Sequence, residues 1–365
     1  MGRSGVIPGW KVKRELVRFG QQLHAIPEFF WEPIAQYRHN RAARVGFSTH
    51  DGALAQGPKI ALILVYQPNG VAPATIAMCA HLHARGYAPF VVSNAPLSPQ
   101  DRTALAPVTW RMLERPNFGY DFGGYRDGIL QLLRWNIVPD RLLIFNDSIW
   151  FPLTPNETLL TELEASSADL TGTILRERGA ERFLESYCYM IPRATFLLPA
   201  FQAFWRDLAL TSNKYKVIRR GERGFSRAMI AAGLSVVGLY TQAAFMAKVT
   251  AQNDGFLANM LRHSTHFDPM HEASRQALLS DAGSVGWRDR MLGQVRATLA
   301  REQVYAAYPY AFVQLFNYPI LKKSNDRSAM MWRKAYLAAI EAGDLAPPSE
   351  PFLADLRCKT AADRL

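Results

Sequence analysis

The chain has 365 residues, 49% of them hydrophobic and 20% charged, which is enough to bury a sizeable interior and excludes a collagen, a coiled coil or a disordered linker. Its 42 Lys and Arg outnumber 31 Asp and Glu for a net charge of +11, a balance that favours phosphate-bearing partners or an anionic membrane face. The basic residues are spread out and carry no helix-turn-helix, zinc-finger or RNA-binding signature, so nucleic acid is not an expected partner.

Residues 1–57 read as a helical N-terminal extension. Lys11, Lys13, Arg14 and Arg18 interleave there with Trp10, Val12, Leu16, Val17 and Phe19, and Arg38 to Arg44 form a second basic stretch. This pattern suits either peripheral contact with a membrane surface or the solvated face of a packed helix. Residues Met1 to Lys11 lack the apolar core of a secretory signal, and Cys79, Cys188 and Cys358 make no disulfide framework. No apolar run approaches the ~20 residues of a bilayer span. A reducing cytoplasm, with contact at the inner face of the cell membrane, is the expected setting.

From Lys59 the pattern becomes α/β. Ile60–Val65 is a continuous apolar run of the kind buried in a parallel sheet, a helix is predicted from Ala74 to Arg85, and Pro89–Ser93 is the next strand. Arg141–Phe145 is a further buried strand, preceded by a helix carrying Ile129, Leu130, Leu132 and Leu133, and Ala168–Ile174 and Ser186–Ile191 add two more strand candidates. Helices are expected over 195–208 and from Phe225 to Ala232. The expected architecture is a Rossmann-like mixed sheet flanked by helices, with the catalytic domain over 58–240 and a mostly helical region over 241–365 docked on it. Ligands of such sheets sit beyond the carboxyl ends of the strands.

Two segments carry the candidate chemistry. Asn146, Asp147 and Ser148 stand where a buried strand ends, and their oxygens suit a hard cation, Mg²⁺ or Mn²⁺, with Asp147 and Ser148 as ligands. The same tripeptide also suits a turn at the strand exit. Upstream, Arg115–Ile129 holds Gly119, Gly123, Gly124 and Gly128, read as a glycine-rich loop whose backbone approaches a ligand, with Asn117, Asp121 and Arg126 as polar heads. Tyr66 and Gln67, at the end of the first strand, are placed to meet a nucleobase by topology alone.

The ordered blocks Asn117–Gly128, Leu142–Leu153, Ala168–Gly172 and Glu185–Tyr189 resemble the rhamnan synthesis protein F family of glycosyltransferases over roughly residues 58–240, with Tyr318–Lys323 extending the likeness. That resemblance implies a GT-A type fold and a rhamnosyltransferase-like activity in polysaccharide biosynthesis for the cell envelope. The implied donor is a nucleotide-sugar such as dTDP-L-rhamnose, and the acceptor a growing polysaccharide or lipid-linked glycan. A more distant likeness to family 2 glycosyltransferases puts Asn146–Ser148 in the place of an Asp-x-Asp motif, with one carboxylate instead of two. It also puts Glu222, in Arg219–Ser226, at the position of the base of an inverting transfer, with Asp169 in reserve; Glu222 equally reads as a first-turn acid favoured by the dipole of a helix that starts there. Arg126, Lys322 and Lys323 are the candidate phosphate partners, the two lysines also reading as a solvated basic helix end. A UDP- or GDP-sugar donor, or a non-catalytic sugar-nucleotide or glycan-binding module, are the alternatives. His263, His266, Asp268 and His271 form a cluster that could ligate a metal, but they lack the spacing of a zinc motif and are expected to be polar surface residues.

Overall fold

The structure is a computed structural model, and it describes residues 31–179 and 181–363. The sequence reading of Trp10 to Phe19 lies outside the described residues. Twelve strands are described: β1 (Ser48–Asp51), β2 (Lys59–Val65), β3 (Tyr87–Ser93), β4 (Arg111–Glu114), β5 (Arg141–Asn146), β6 (Ile149–Trp150), β7 (Leu170–Gly172), β8 (Leu175–Arg178), β9 (Glu181–Leu184), β10 (Cys188–Pro192), β11 (Val236–Gly238) and β12 (Leu321–Lys322). Eight form one mixed sheet in the order β1-β4-β3-β2-β5-β10-β7-β11. β2 to β5 are mutually parallel, while β1 and β10 run the other way. The expected mixed sheet flanked by helices is therefore present. Among the described residues, no helix is long and apolar enough to cross a membrane.

Alternation along β2 divides the core. Ile60, Leu62 and Leu64 face the helices Tyr120–Arg134, Pro199–Asp207 and Arg223–Ala231. Ala61, Ile63 and Val65 face the Pro73–Ala84 helix and join a cluster that continues through Trp287, Phe312 and Leu356 into the C-terminal helices. Both faces of the parallel strands are thus buried, which explains why they read as unbroken apolar runs. At the N-terminal side, residues 31–45 are helical and β1 adds an edge strand through β4. Within that helix His39 is buried and pairs with Asp127 at 2.8 Å, so the basic stretch Arg38–Arg44 is tied to the sheet domain by one face.

The glycine-rich segment corrects the sequence reading. Gly119 caps a helix in the left-handed conformation at φ 84°, and Gly123, Gly124 and Gly128 lie inside the Tyr120–Arg134 helix, not in a loop. They bring the helix onto the sheet. A Cβ on Gly124 would stand 2.0 Å from Leu64 Cδ1, and one on Gly128 2.6 Å from Leu62 Cδ1 and 2.9 Å from Val92 Cγ2. At Gly123 the obstacle is the Phe118 carbonyl oxygen, 2.0 Å away. The helix expected over 195–208 is also two helices, Arg193–Leu197 and Pro199–Asp207, separated by Leu198 in an extended conformation. The predicted Phe225–Ala232 helix begins earlier: Lys214–Val217, a π-helical stretch at Ile218–Glu222, and Arg223–Ala231 run on without a break.

Gly124→Ala and Gly128→Ala are expected to destabilise the chain by about 1–3 kcal/mol each through overpacking. Gly293→Ala, in an exposed helical position with open space around it, should stabilise by about 0.5–1 kcal/mol. Denaturant titration of the three variants checks both signs.

Candidate functional site

A cavity of about 560 Å³ opens at the carboxyl edge of the sheet. Asn146 and Ser148 at the end of β5, Tyr120 and Asp121 at the start of the glycine-rich helix, and Glu185 to Tyr187 before β10 form its floor. Arg176 and Phe183 of the β8–β9 hairpin, the helical segment holding Lys214, Glu222 and Arg223, and Lys322 of β12 supply the walls. β12 reaches this place because Leu321 and Lys322 pair antiparallel with Trp150 and Ile149 of β6. Lys322 is thus in a strand and Lys323 directly follows it, so the pair is not at the solvated helix end that the sequence allowed.

The floor concentrates negative charge. Asn146 Nδ2 donates to Asp121 Oδ2 at 3.1 Å, while the Ser148 hydroxyl and backbone N–H both donate to Asn146 Oδ1, so the three side chains form one chain of hydrogen bonds. Burial and the nearby charges of Asp147 and Glu222 push the Asp121 carboxyl up to about 6, against the opposing pull of Lys214 and the Asn146 bond. Glu222 accepts a hydrogen bond from the Ser186 hydroxyl at 2.9 Å, and burial raises its pKa above the ordinary carboxylate value. It stands within a continuous helix at the π-helical stretch, not at a helix N-terminus. Its placement therefore owes nothing to a favourable first turn, and such π insertions recur at functional sites.

Glu185 is the counterpart that sequence reasoning missed. It is buried, and it accepts from Lys322 Nζ at 2.7 Å, from the Arg176 guanidinium at 2.5 Å and from the Tyr305 hydroxyl at 2.9 Å. Burial alone would raise its pKa, but Lys322 and Arg176 outweigh that and hold it below the ordinary range. An ionised Glu185 in turn holds two cations, Lys322 and Arg176, at the cavity wall. The signal available was a single acid immediately ahead of an apolar strand.

Other predicted residues are placed elsewhere. Asp147 is absent from the cavity lining. Its Oδ2 accepts from the Tyr66 N–H at 2.8 Å and Gln67 Nε2 at 3.1 Å, so it ties down the chain after β2, and burial raises its pKa. Tyr66 is half exposed beside it and does not line the cavity. Asn117 is exposed and accepts from Asn94. Gly123 and Gly124 serve helix packing. Arg126 turns away into the protein, donating to the Trp205 and Arg206 carbonyls and to Asn40. Asp169 is at the opposite, amino-terminal end of its strand, capping Ser235 through Oδ2, so the reserve base is removed from the site. Lys323 pairs with Asp355 at 3.3 Å and lies over the Trp150 ring.

The side chains at this cavity suit a divalent cation. Asp121 has its carboxyl raised first by burial and then by two neighbouring acids, Asp147 and Glu222, and a cation would relieve the repulsion among them. Asp121 and Ser148 offer oxygen donors of the type Mg²⁺ and Mn²⁺ take. The residues fit such an ion with Asp121, not Asp147, as the carboxylate facing the cavity.

Residues 90–260 match the family model of rhamnan synthesis protein F, which bears out the resemblance and the glycosyltransferase class it implies. The match takes in the glycine-rich helix, Asn146 to Ser148, Glu185 and Glu222. The uncharacterized protein y4gN of Sinorhizobium fredii (strain NBRC 101917 / NGR234) is 26% identical over 333 residues, covering 90% of this chain and 86% of its own. The mannosyltransferase PcManGT from Pyrobaculum calidifontis, solved in complex with GDP-Man and Mn2+, aligns over 93% of this chain and 96% of its own at 10% identity. Its TM-score is 0.29, too low for the likeness to bear on fold or chemistry.

Asp121 provides a pH test. In the folded chain it keeps its proton up to about pH 6, whereas an unfolded chain releases it near the ordinary value. The cost of ionising it is therefore absent near pH 4 and complete above pH 6. Asp121→Asn should raise Tm above pH 6, by up to about 3 kcal/mol in stability, and the gain should fade by pH 4. Thermal unfolding of both forms across this range reads the sign.

Proposed function

We propose that the chain is an inverting glycosyltransferase that takes a deoxyhexose, L-rhamnose from a dTDP-linked donor, and adds it to a growing surface polysaccharide or lipid-linked glycan. The observation that carries this reading is the meeting, in one cavity, of acids at Asp121 and Glu222 with cations at Arg176, Lys214 and Lys322. The rhamnose assignment rests on the description of the matching family model.

In this reading the acceptor hydroxyl attacks the anomeric carbon as the bond from that carbon to the diphosphate oxygen breaks, and its proton passes to the Glu222 carboxylate. A pKa raised by burial makes Glu222 a better proton acceptor than an exposed carboxylate. The Ser186 hydroxyl aims one of its oxygens and leaves the other for the acceptor. Lys322 and Arg176, fixed by Glu185, take up the negative charge that develops on the leaving nucleoside diphosphate. A divalent cation at Asp121 would add Lewis-acid stabilisation of the same charge. Asp147 holds the Tyr66–Gln67 segment, which borders the nucleoside end by its place beyond β2.

The assay is release of nucleoside diphosphate from dTDP-L-rhamnose, UDP-sugars and GDP-sugars in the presence of acceptor and Mn²⁺ or Mg²⁺. The rhamnose donor should turn over, and dTDP should raise Tm more than UDP or GDP does. Glu222→Gln should lower kcat by about 10²–10⁴-fold with donor affinity kept. Normal turnover by Glu222→Gln would remove Glu222 as the base. Donor-dependent stabilisation without turnover on any acceptor would favour a binding module instead.

A further inference from the structure

Outside the donor cavity, the C-terminal helices enclose a second polar cluster. His266 follows the Asp254–Arg262 helix, His271 lies in the first turn of the Pro269–Ser280 helix, and Glu302 follows the Trp287–Leu299 helix. The sequence reading placed these histidines on the surface, but His263, His266 and His271 are all buried. His263 has its own partner, with Nε2 2.6 Å from Asp344 Oδ2. The other two converge on one carboxylate: His271 Nδ1 lies 2.5 Å, and His266 Nδ1 3.3 Å, from Glu302 Oε1. None of the three lines the donor cavity.

Two features mark this as a ligand set and not a satisfied core network. The His266 side chain is fully enclosed, yet neither of its ring nitrogens makes a hydrogen bond among the described residues, an arrangement that folded proteins avoid. The surroundings of the set, in contrast, are fixed. Glu302 Oε2 accepts the Phe267 N–H at 3.2 Å, and Gln294 Nε2 donates to the His271 carbonyl at 3.2 Å. Such outer contacts orient metal ligands.

We propose that His266, His271 and Glu302 form a structural zinc site that joins the three helices. One ligand atom from each of these residues lies within 4.8 Å of the other two. Zinc takes imidazole nitrogen and carboxylate oxygen at 2.0–2.2 Å, for which a tetrahedral edge is about 3.3 Å. The His266–Glu302 separation of 3.3 Å already has that length, and the His271–Glu302 edge has to open by ~0.8 Å as the shared proton leaves. Two imidazoles and one carboxylate suit zinc better than the all-oxygen shells of magnesium and calcium. A water completes the fourth position.

The test uses the full chain, stripped with chelator and then given Zn²⁺ alone or Co²⁺ alone. One equivalent of Zn²⁺ should bind and raise Tm by several degrees, Mg²⁺ should not substitute, and Co²⁺ should give the intense visible absorption of a tetrahedral site. His266→Gln and Glu302→Gln should lose the spectrum and the Tm response, while Asp121→Asn, in the donor cavity, should keep both. A folded wild-type chain that shows no tetrahedral cobalt spectrum overturns the proposal. So does a spectrum that survives His266→Gln or disappears with Asp121→Asn. The wild-type measurement stands whether or not the histidine variant folds.

Discussion

The Tyr120–Arg134 helix lies so close to β2 and β3 that no Cβ fits at Gly124 or Gly128, and this contact decides where the chemistry can happen. With the helix pressed on the sheet, its first turn is held at the carboxyl ends of the strands, and Asp121 meets Asn146 at the end of β5. The approach is secured at the same end by Arg115. It is buried, pairs with Asp127 of the helix at 2.6 Å, and also donates to Asn94 and to the Phe118 carbonyl just before the Gly119 cap. Burial works to raise the Asp127 pKa, but His39 and Arg115 more than offset it, so this carboxylate stays ionised and the network intact. Two acids of one helix thus have different roles: Asp127 is ion-paired and structural, whereas Asp121 lines the cavity.

The opposite wall follows the same logic with the signs exchanged. Glu185, enclosed by Arg176, Lys322 and Tyr305, is a buried anion whose value is orientation more than stability, since burying an ion pair costs desolvation that its attraction only partly returns. It draws together three segments far apart in sequence: the β8–β9 hairpin with the chain that follows it, the segment at Tyr305 and the β12 strand. The cavity is therefore built by charge as much as by apolar packing, with acids and cations both lining it.

Sequence patterns reached the sheet well and the site less well, for identifiable reasons. Unbroken apolar runs announced β2, β3 and β5 because both faces of these strands are buried. Four glycines in ten residues read as a loop, because the sheet that makes them necessary within a helix is invisible in a local window. The carboxyl-edge rule put Asn146 to Ser148 at the site, but which of two adjacent side chains faces the cavity depends on where Tyr66 and Gln67 return, and so Asp121 displaced Asp147 as the facing acid. Arg126, on the same helix as Asp121, points away from the cavity toward Asn40 and the Trp205 and Arg206 carbonyls. The cluster at His271 and Glu302 spans 31 residues and three helices, and no spacing rule reaches that far.

Hydrogen–deuterium exchange of the full chain, with and without a nucleoside diphosphate and Mn²⁺, measures most directly whether the cavity at the carboxyl edge is the donor site. The account predicts protection concentrated in three separate peptides, around Asn146, around Glu222 and around Lys322, with little change around Arg44, Arg126, Arg134 and Arg206, which line a separate cavity. Tight binding accompanied by protection at that arginine cluster, and none at the three cavity segments, would contradict it.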